Sequence, residues 1–151
     1  MFHIALESPS QPEIIALIEA LDAYTKPLYP AESHYGIDIA ALSAANVLFA
    51  VARTADGLAV ACGGLAIGPH YGELKRIYTQ PEFRGQGIAA RILGFLEVEA
   101  KQRGCRRFTL ETGYRQPEAI ALYERFGYRR CGPFGDYPDD PNSVFMSKDT
   151  I

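Results

Sequence analysis

Between residues 47 and 79 the chain runs through three apolar, β-branched segments, VLFAVART, LAVACGGLAI and GELKRIYT. The first two are joined through ADG, and the last two are parted by GPHYG. Asp56-Gly57 suits a tight hairpin turn, because glycine reaches the positive φ that such a turn needs at little steric cost. Antiparallel pairing of the first two segments follows. A sheet that opens with a hairpin is not the uninterrupted parallel sheet of a doubly wound dinucleotide fold.

Hydrophobic spacing supplies the remaining elements. FHIAL reads as a short strand, and QPEIIALIEALDAY carries Ile14, Leu17, Ile18 and Leu21 on one helical face, with Pro12 in the first turn. YGIDIAALSAAN reads as a second, shorter helix. GIAARILGFLEVEAKQRG sets Ile88, Ile92, Phe95 and Leu96 on one face and leaves at Gly104. RRFTLET is a further strand, and QPEAIALYERFG is a helix that begins at Pro117 and stops at Gly127. YRRCG and SVFMS close the chain as strands around the turn-rich PFGDYPDDPN. The order predicts one α/β (α+β) domain over residues 1–151, a mixed central sheet of six to seven strands flanked by about four helices.

With 151 residues, 48% of them hydrophobic, such a domain buries a core without help from metal or disulfides. A formal charge of -3 and the lack of any basic run argue against nucleic acid or an anionic membrane as partner, and favour a small molecule. The opening MFHIALESPS has neither a basic nor an apolar leader region, so a cytoplasmic location is expected. Cys62, Cys105 and Cys131 are odd in number and lack C-x-x-C spacing. They are expected as buried thiols rather than as a disulfide framework or zinc site. His3, His34 and His70 show no metal spacing.

The segment PEFRGQGIAARIL invites two readings. Gly85-x-Gly87-x-x-Ala90 fits a dinucleotide fingerprint, with Glu111 at the end of the next strand in the place of a ribose-binding acid. Against it, QPEF and Arg84 stand between strand and glycines, and the preceding strands are antiparallel. The other reading is R-x-x-G-x-A, Arg84 to Ala89, opening a helix. Unpaired N–H groups at a helix N-terminus carry about half a positive charge and hold phosphate oxygens. Gly85 and Gly87 let that backbone approach the anion, Ala89 stays out of its way, and Arg84 adds charge-assisted hydrogen bonds.

With its flanks, GELKRIYTQPEFRGQGIAARIL, then RRFTLET, then EAIALYERFGY, this second pattern resembles the pyrophosphate loop and neighbouring motifs of the GNAT superfamily of N-acetyltransferases, over residues 46 to 130 and in that family's order. The resemblance implies a single-domain GNAT fold and acetyl-CoA as cofactor. It assigns the backbone of Ile77, Tyr78 and Thr79 to the pantetheine arm, and Arg84, Gly85, Gln86, Gly87, Ile88 and Ala89 to the pyrophosphate. Tyr123 matches the tyrosine that protonates the departing sulfur, although an aromatic packed on the sheet is the plainer reading of its position. Glu73 matches a glutamate that takes the amine's proton, and equally reads as a solvated strand-end charge. The family's asparagine after LET is Gln116 here, a longer amide that the resemblance directs to the pantetheine or a carbonyl, and Arg125 reads either as a partner of the phosphates or as a surface residue.

KPLYPAESHYG, with Tyr29, Glu32, His34 and Tyr35, corresponds to a segment that overhangs the acceptor, and Tyr137 in PFGDYPDDPN flanks the same entrance. The expected activity is transfer of an acetyl group from acetyl-CoA to a primary amine of a small molecule, by direct attack in a ternary complex. No serine, cysteine and histidine arrangement suggests a covalent intermediate. A non-catalytic acyl-CoA-binding module and a protein N-acetyltransferase are the alternatives, and a homodimer is compatible with the chain. The acceptor's identity and the acyl-chain preference stay open.

Overall fold

The computed structural model describes residues 1–150. Seven strands form one sheet in the order β1-β2-β3-β4-β5-β7-β6. They are β1 (Phe2–Leu6), β2 (Val47–Thr54), β3 (Ala59–Ile67), β4 (Gly72–Thr79), β5 (Arg107–Gly113), β6 (Arg129–Cys131) and β7 (Ser143–Asp149). The helices are α1 (Pro12–Thr25), α2 (Ile39–Leu42), α3 (Ile88–Gln102) and α4 (Pro117–Arg125). Strands β1 to β4 form an antiparallel meander, β4 and β5 are parallel across α3, and β7 returns antiparallel to β5 with β6 at the edge.

Both faces of the sheet are covered. On one, Ile88, Ile92, Leu93 and Leu96 of α3 bury against Leu74, Phe108 and Leu110, with Ile120 and Tyr123 of α4 beside them. On the other, Ile14, Leu17 and Ile18 of α1 and Leu42 of α2 cover Phe49, Val51 and Tyr78. Each large aliphatic side chain taken out of water in this way contributes about 1.5–3 kcal/mol. Helix α2 is far shorter than the twelve-residue pattern suggests. The Asp38 carboxylate caps it by accepting from the Ala41 N–H at 2.8 Å, and the Ser43 hydroxyl donates to the Ile39 carbonyl at 2.8 Å, closing a single turn. Cys62 and Cys105 are buried as expected, whereas Cys131 is exposed, because β6 is an edge strand whose three residues all face solvent. Among the described residues no helix is long and apolar enough to cross a membrane.

Strands β4 and β5 are paired only at Gly72↔Phe108 and Glu73↔Thr109. The cause lies in the β3–β4 ladder, where Cys62 faces Tyr78 but Gly64 faces Lys75, so that Arg76 and Ile77 share one partner position. This β-bulge bends the strand away from its parallel neighbour. Arg76 takes a left-handed φ of 57°, a conformation costing about 1–3 kcal/mol. The Asp22 carboxylate and the Ile37 carbonyl hold its guanidinium in place. Beyond Glu73 and Thr109 the two strands diverge, and their facing backbone edges line a V-shaped gap in the sheet.

Candidate active site

A groove of about 730 Å³ runs from that gap to the start of α3. Ile77, Tyr78 and Thr79 line its strand side, and Arg84, Gly85, Gly87, Ile88 and Ala89 line its far end. Gly87 is the N-cap of α3 at φ 77°, with no side chain capping the helix. Gly85 has φ 80°, and a Cβ placed on either glycine meets nothing within 4 Å. The amides of Ile88, Ala89 and Ala90 have no intrahelical partner, so the turn offers an open nest of N–H donors suited to a diphosphate. Arg84 donates through Nε to the Thr79 carbonyl at 3.0 Å, and its guanidinium lies 5.6 Å from the Tyr78 ring centroid and 5.8 Å from that of Tyr24. Arg84 thus adds a positive charge to the wall of the groove. Gln116 and Arg125 also line the groove, whereas exposed Gln86 does not. The donor set and the open space above it fit acetyl-CoA.

A second cavity, of about 370 Å³, meets the first at Leu21, Ile77, Gln116 and Tyr123. Tyr29, His34, Glu73 and Tyr137 line it. Glu32 does not: it is exposed and lies outside both cavities. The reason is local, because Ala31–Ser33 forms a 3-10 turn that buries Ser33 and leaves Glu32 outward. His34 Nε2 lies 3.0 Å from the Tyr29 carbonyl and 3.2 Å from that of Lys26, two acceptors that require this nitrogen to carry the proton.

Glu73 is engaged within the protein. Its carboxylate accepts from the Tyr137 hydroxyl and lies 2.9 Å from the Lys75 ammonium, which also donates to the Tyr137 oxygen at 2.7 Å. Burial, then the proton-accepting Glu73, keep the Tyr137 phenol well above its ordinary value. The acid that remains uncommitted is Glu111. It stands two residues beyond Thr109, the register partner of Glu73, and therefore on the same face of the sheet, lining the second cavity. The Ser143 hydroxyl donates to it at 2.8 Å, and among the described residues it has no ion pair. Burial pushes its carboxyl up to about 7, opposed by Ser143 and the Lys75 ammonium and reinforced by the charges of Glu73 and Asp140. The sequence held one signal for it: in FTLET the apolar residues alternate with Thr109 and Glu111, whose face is itself covered by α1 and its connection to α2.

Tyr123 is 8% exposed and lines both cavities. Its ring stands edge-on to Tyr128 at 6.1 Å, and Tyr128 is fixed by donating to buried Glu97 at 2.8 Å. Among the described residues nothing accepts the Tyr123 proton, and burial raises its phenol pKa, so the group stays neutral. Over the second cavity the connection from α1 to α2 is clasped by Asp140, which accepts from the hydroxyls of Ser33 at 2.6 Å and Tyr35 at 2.7 Å.

Residues 14–128 match the model of the acetyltransferase (GNAT) family. An IAA acetyltransferase of Azospirillum brasilense is 46% identical over 147 residues, spanning 96% of this chain and 95% of that protein. Among solved structures, a Klebsiella pneumoniae protein assigned provisionally as an acyl-CoA N-acyltransferase superposes with a TM-score of 0.85 at 38% identity, over 100% of this chain and 99% of its own. The PaiA N-acetyltransferase of Thermoplasma acidophilum, solved in complex with coenzyme A, shares the fold with a TM-score of 0.77 at 19% identity, over 99% of each chain. The chain belongs to the acetyltransferase (GNAT) family and is an acyl-CoA-dependent N-acetyltransferase.

Proposed function

We propose that this enzyme carries an acetyl group from acetyl-CoA to a primary amine of a small molecule, by direct attack within a ternary complex in the cytoplasm. The observation that carries the reading is the meeting of two cavities at Ile77, Gln116 and Tyr123, one shaped for a long phosphorylated chain and the other a small, half-enclosed chamber. A chamber of about 370 Å³ is at the small end of ligand pockets. Bound acetyl-CoA supplies the thioester carbonyl as electrophile.

The chain's own groups then solve two proton problems. An amine arrives as an ammonium, and Glu111, ionised above about pH 7 and without an ion pair, binds that cation and takes its proton. Glu73 is a poorer base, because its Oε2 already accepts from Tyr137 and pairs with Lys75; it holds Lys75 in place beside Glu111. Tyr123, neutral and without a protein acceptor, donates its proton to the departing sulfur. The β5-facing backbone edge of β4, unpaired with β5 beyond Glu73, offers donors to the pantetheine arm and to the oxyanion. The test is a screen of primary amines with acetyl-CoA, following free thiol. Small amines are expected to release thiol above the acceptor-free background. Binding of acetyl-CoA with no turnover on any amine would favour a non-catalytic module, and turnover on peptide N-termini alone would favour a protein acetyltransferase.

A further inference from the structure

Tyr29 follows the 3-10 turn Lys26–Leu28 that extends α1, yet its ring reaches across the molecule to the end of β5. It lies directly on Gly113, where a Cβ would come within 1.8 Å of the phenol oxygen and 2.0 Å of Cζ. Its hydroxyl oxygen accepts from the Arg115 N–H at 3.2 Å, and its proton goes to Gln116 Oε1 at 3.1 Å. The Arg115 guanidinium returns to the Leu28 carbonyl at 3.2 Å, which locks the two segments together. Gln116 is the N-cap residue of α4, but its side chain does not cap the helix. It turns instead toward Tyr29, at the crossing of the two cavities.

This arrangement decides which way the amide faces. Because the Tyr29 oxygen already accepts from a backbone N–H, the hydroxyl proton is satisfied only if the carboxamide oxygen faces it. The Gln116 NH2 group is then left on the opposite side, with no acceptor among the described residues, in the wall shared by groove and chamber. A shorter amide at this position would not reach Tyr29 and would lose its orientation. The longer side chain and the tyrosine on the far segment therefore belong to one device.

We propose that Tyr29 is a positioning residue: by holding the oxygen of Gln116 it presents the amide NH2 to the acyl-bearing arm of acetyl-CoA, so that a residue of the acceptor-covering segment sets cofactor affinity. This rests on the acetyl-CoA groove proposed above. The test is calorimetry on wild type, Tyr29→Phe, Gln116→Ala and the double variant, with acetyl-CoA and with adenosine 3′,5′-diphosphate, which lacks the arm. Tyr29→Phe keeps the ring on Gly113 and removes the hydroxyl with its bonds to Gln116 and Arg115, of which the first orients the amide, so acetyl-CoA binding is expected to weaken by about 5- to 10-fold. Gln116→Ala should weaken it at least as much, and the double variant should be no weaker than Gln116→Ala alone. Binding of the arm-less nucleotide should change by less than about twofold. Unchanged acetyl-CoA affinity in Tyr29→Phe, equal loss for both ligands, or additive losses in the double variant each overturn the proposal. A wild type that binds no acetyl-CoA overturns it together with the reading it rests on; a wild type that binds, with Tyr29→Phe unaltered, overturns it alone.

Discussion

Tyr137 donates its hydroxyl proton to Glu73, the last residue of β4 that is paired with β5, and together with the Lys75 ammonium it loads one carboxylate oxygen of the acid whose sequence position most invites a catalytic role. Glu111, on the same face and without an ion pair among the described residues, is the base proposed above. Its folded-state carboxyl is raised from 4.5 to about 7, so kcat/KM should climb with pH through about 7 and fall by about tenfold per unit below it. Glu111→Gln should erase that limb and lower kcat by about 10²–10⁴-fold. Glu73→Gln should keep the limb, with its midpoint moved down, since a neighbouring negative charge is gone. A pH–rate profile of the three proteins decides it; persistence of the limb in Glu111→Gln returns the role to Glu73.

The same shift predicts a stability effect whose sign is fixed. A carboxyl with its folded pKa above its unfolded value contributes stability that is present below pH 4.5 and is lost as pH rises through about 7. Glu111→Gln, which cannot ionise, should therefore melt higher than wild type at pH 8 and close to it at pH 4.5. Thermal denaturation at the two values checks this independently of any substrate. A variant that melts lower at pH 8 would mean that the ionised Glu111 is already stabilised within the fold.

At the other end of the site, Gly87 combines a left-handed φ of 77° with open space where a side chain would stand. Gly87→Asn costs little, because asparagine tolerates this conformation, and should weaken acetyl-CoA binding only modestly. Gly87→Glu sets a carboxylate over the helix N-terminus that the diphosphate would occupy and should abolish binding while the fold persists. Calorimetry and circular dichroism together read the outcome, and undiminished binding by Gly87→Glu would remove the nest from the cofactor site.

The hairpin at Asp56-Gly57, helix α3 and the glycine turn before it were legible because each depends on neighbours in sequence: turn chemistry, 3.6-residue spacing and an uncapped helix start. What could not be read depends on neighbours in space. Glu111 looks like an ordinary polar position of a strand until the segment between α1 and α2 covers that face. Glu73 looks free until Tyr137, from a loop 64 residues away, donates to it. Cys131 lies in a strand-like stretch in sequence, as a buried thiol would, yet that strand, β6, is at the edge of the sheet. The bulge at Arg76, which opens the sheet, has no sequence signature, since arginine is not a residue that favours positive φ.

Tyr123→Phe isolates the acid. The ring's edge-on packing against Tyr128 is retained and only the proton donor is lost, so acetyl-CoA affinity and melting temperature should hold while kcat falls by about 10²-fold or more. The loss should be largest with acetyl-CoA and smaller with thioesters of more acidic thiols, which leave without a proton. An equal loss across leaving groups would assign the tyrosine to packing.

Gly113→Ala probes the seat of Tyr29. A methyl group here would overlap the phenol at 1.8 to 2.6 Å, contacts that no rotamer change of an alanine can relieve, so Tyr29 must leave and take its bonds to Gln116 and Arg115 with it. Overpacking of this kind costs about 1–3 kcal/mol, or a drop of about 3–10 °C in Tm for a chain of this size. Because Tyr29 also lines the acceptor chamber, its departure should raise KM for the amine as well as weaken acetyl-CoA. Pairing the substitution with Tyr29→Ala, which removes the obstructing ring, should restore part of the lost Tm, since the added methyl then fills vacated space. If Gly113→Ala is as stable as wild type, or if Tyr29→Ala deepens the loss instead of relieving it, the contact between these two segments is not the one that closes the acceptor chamber.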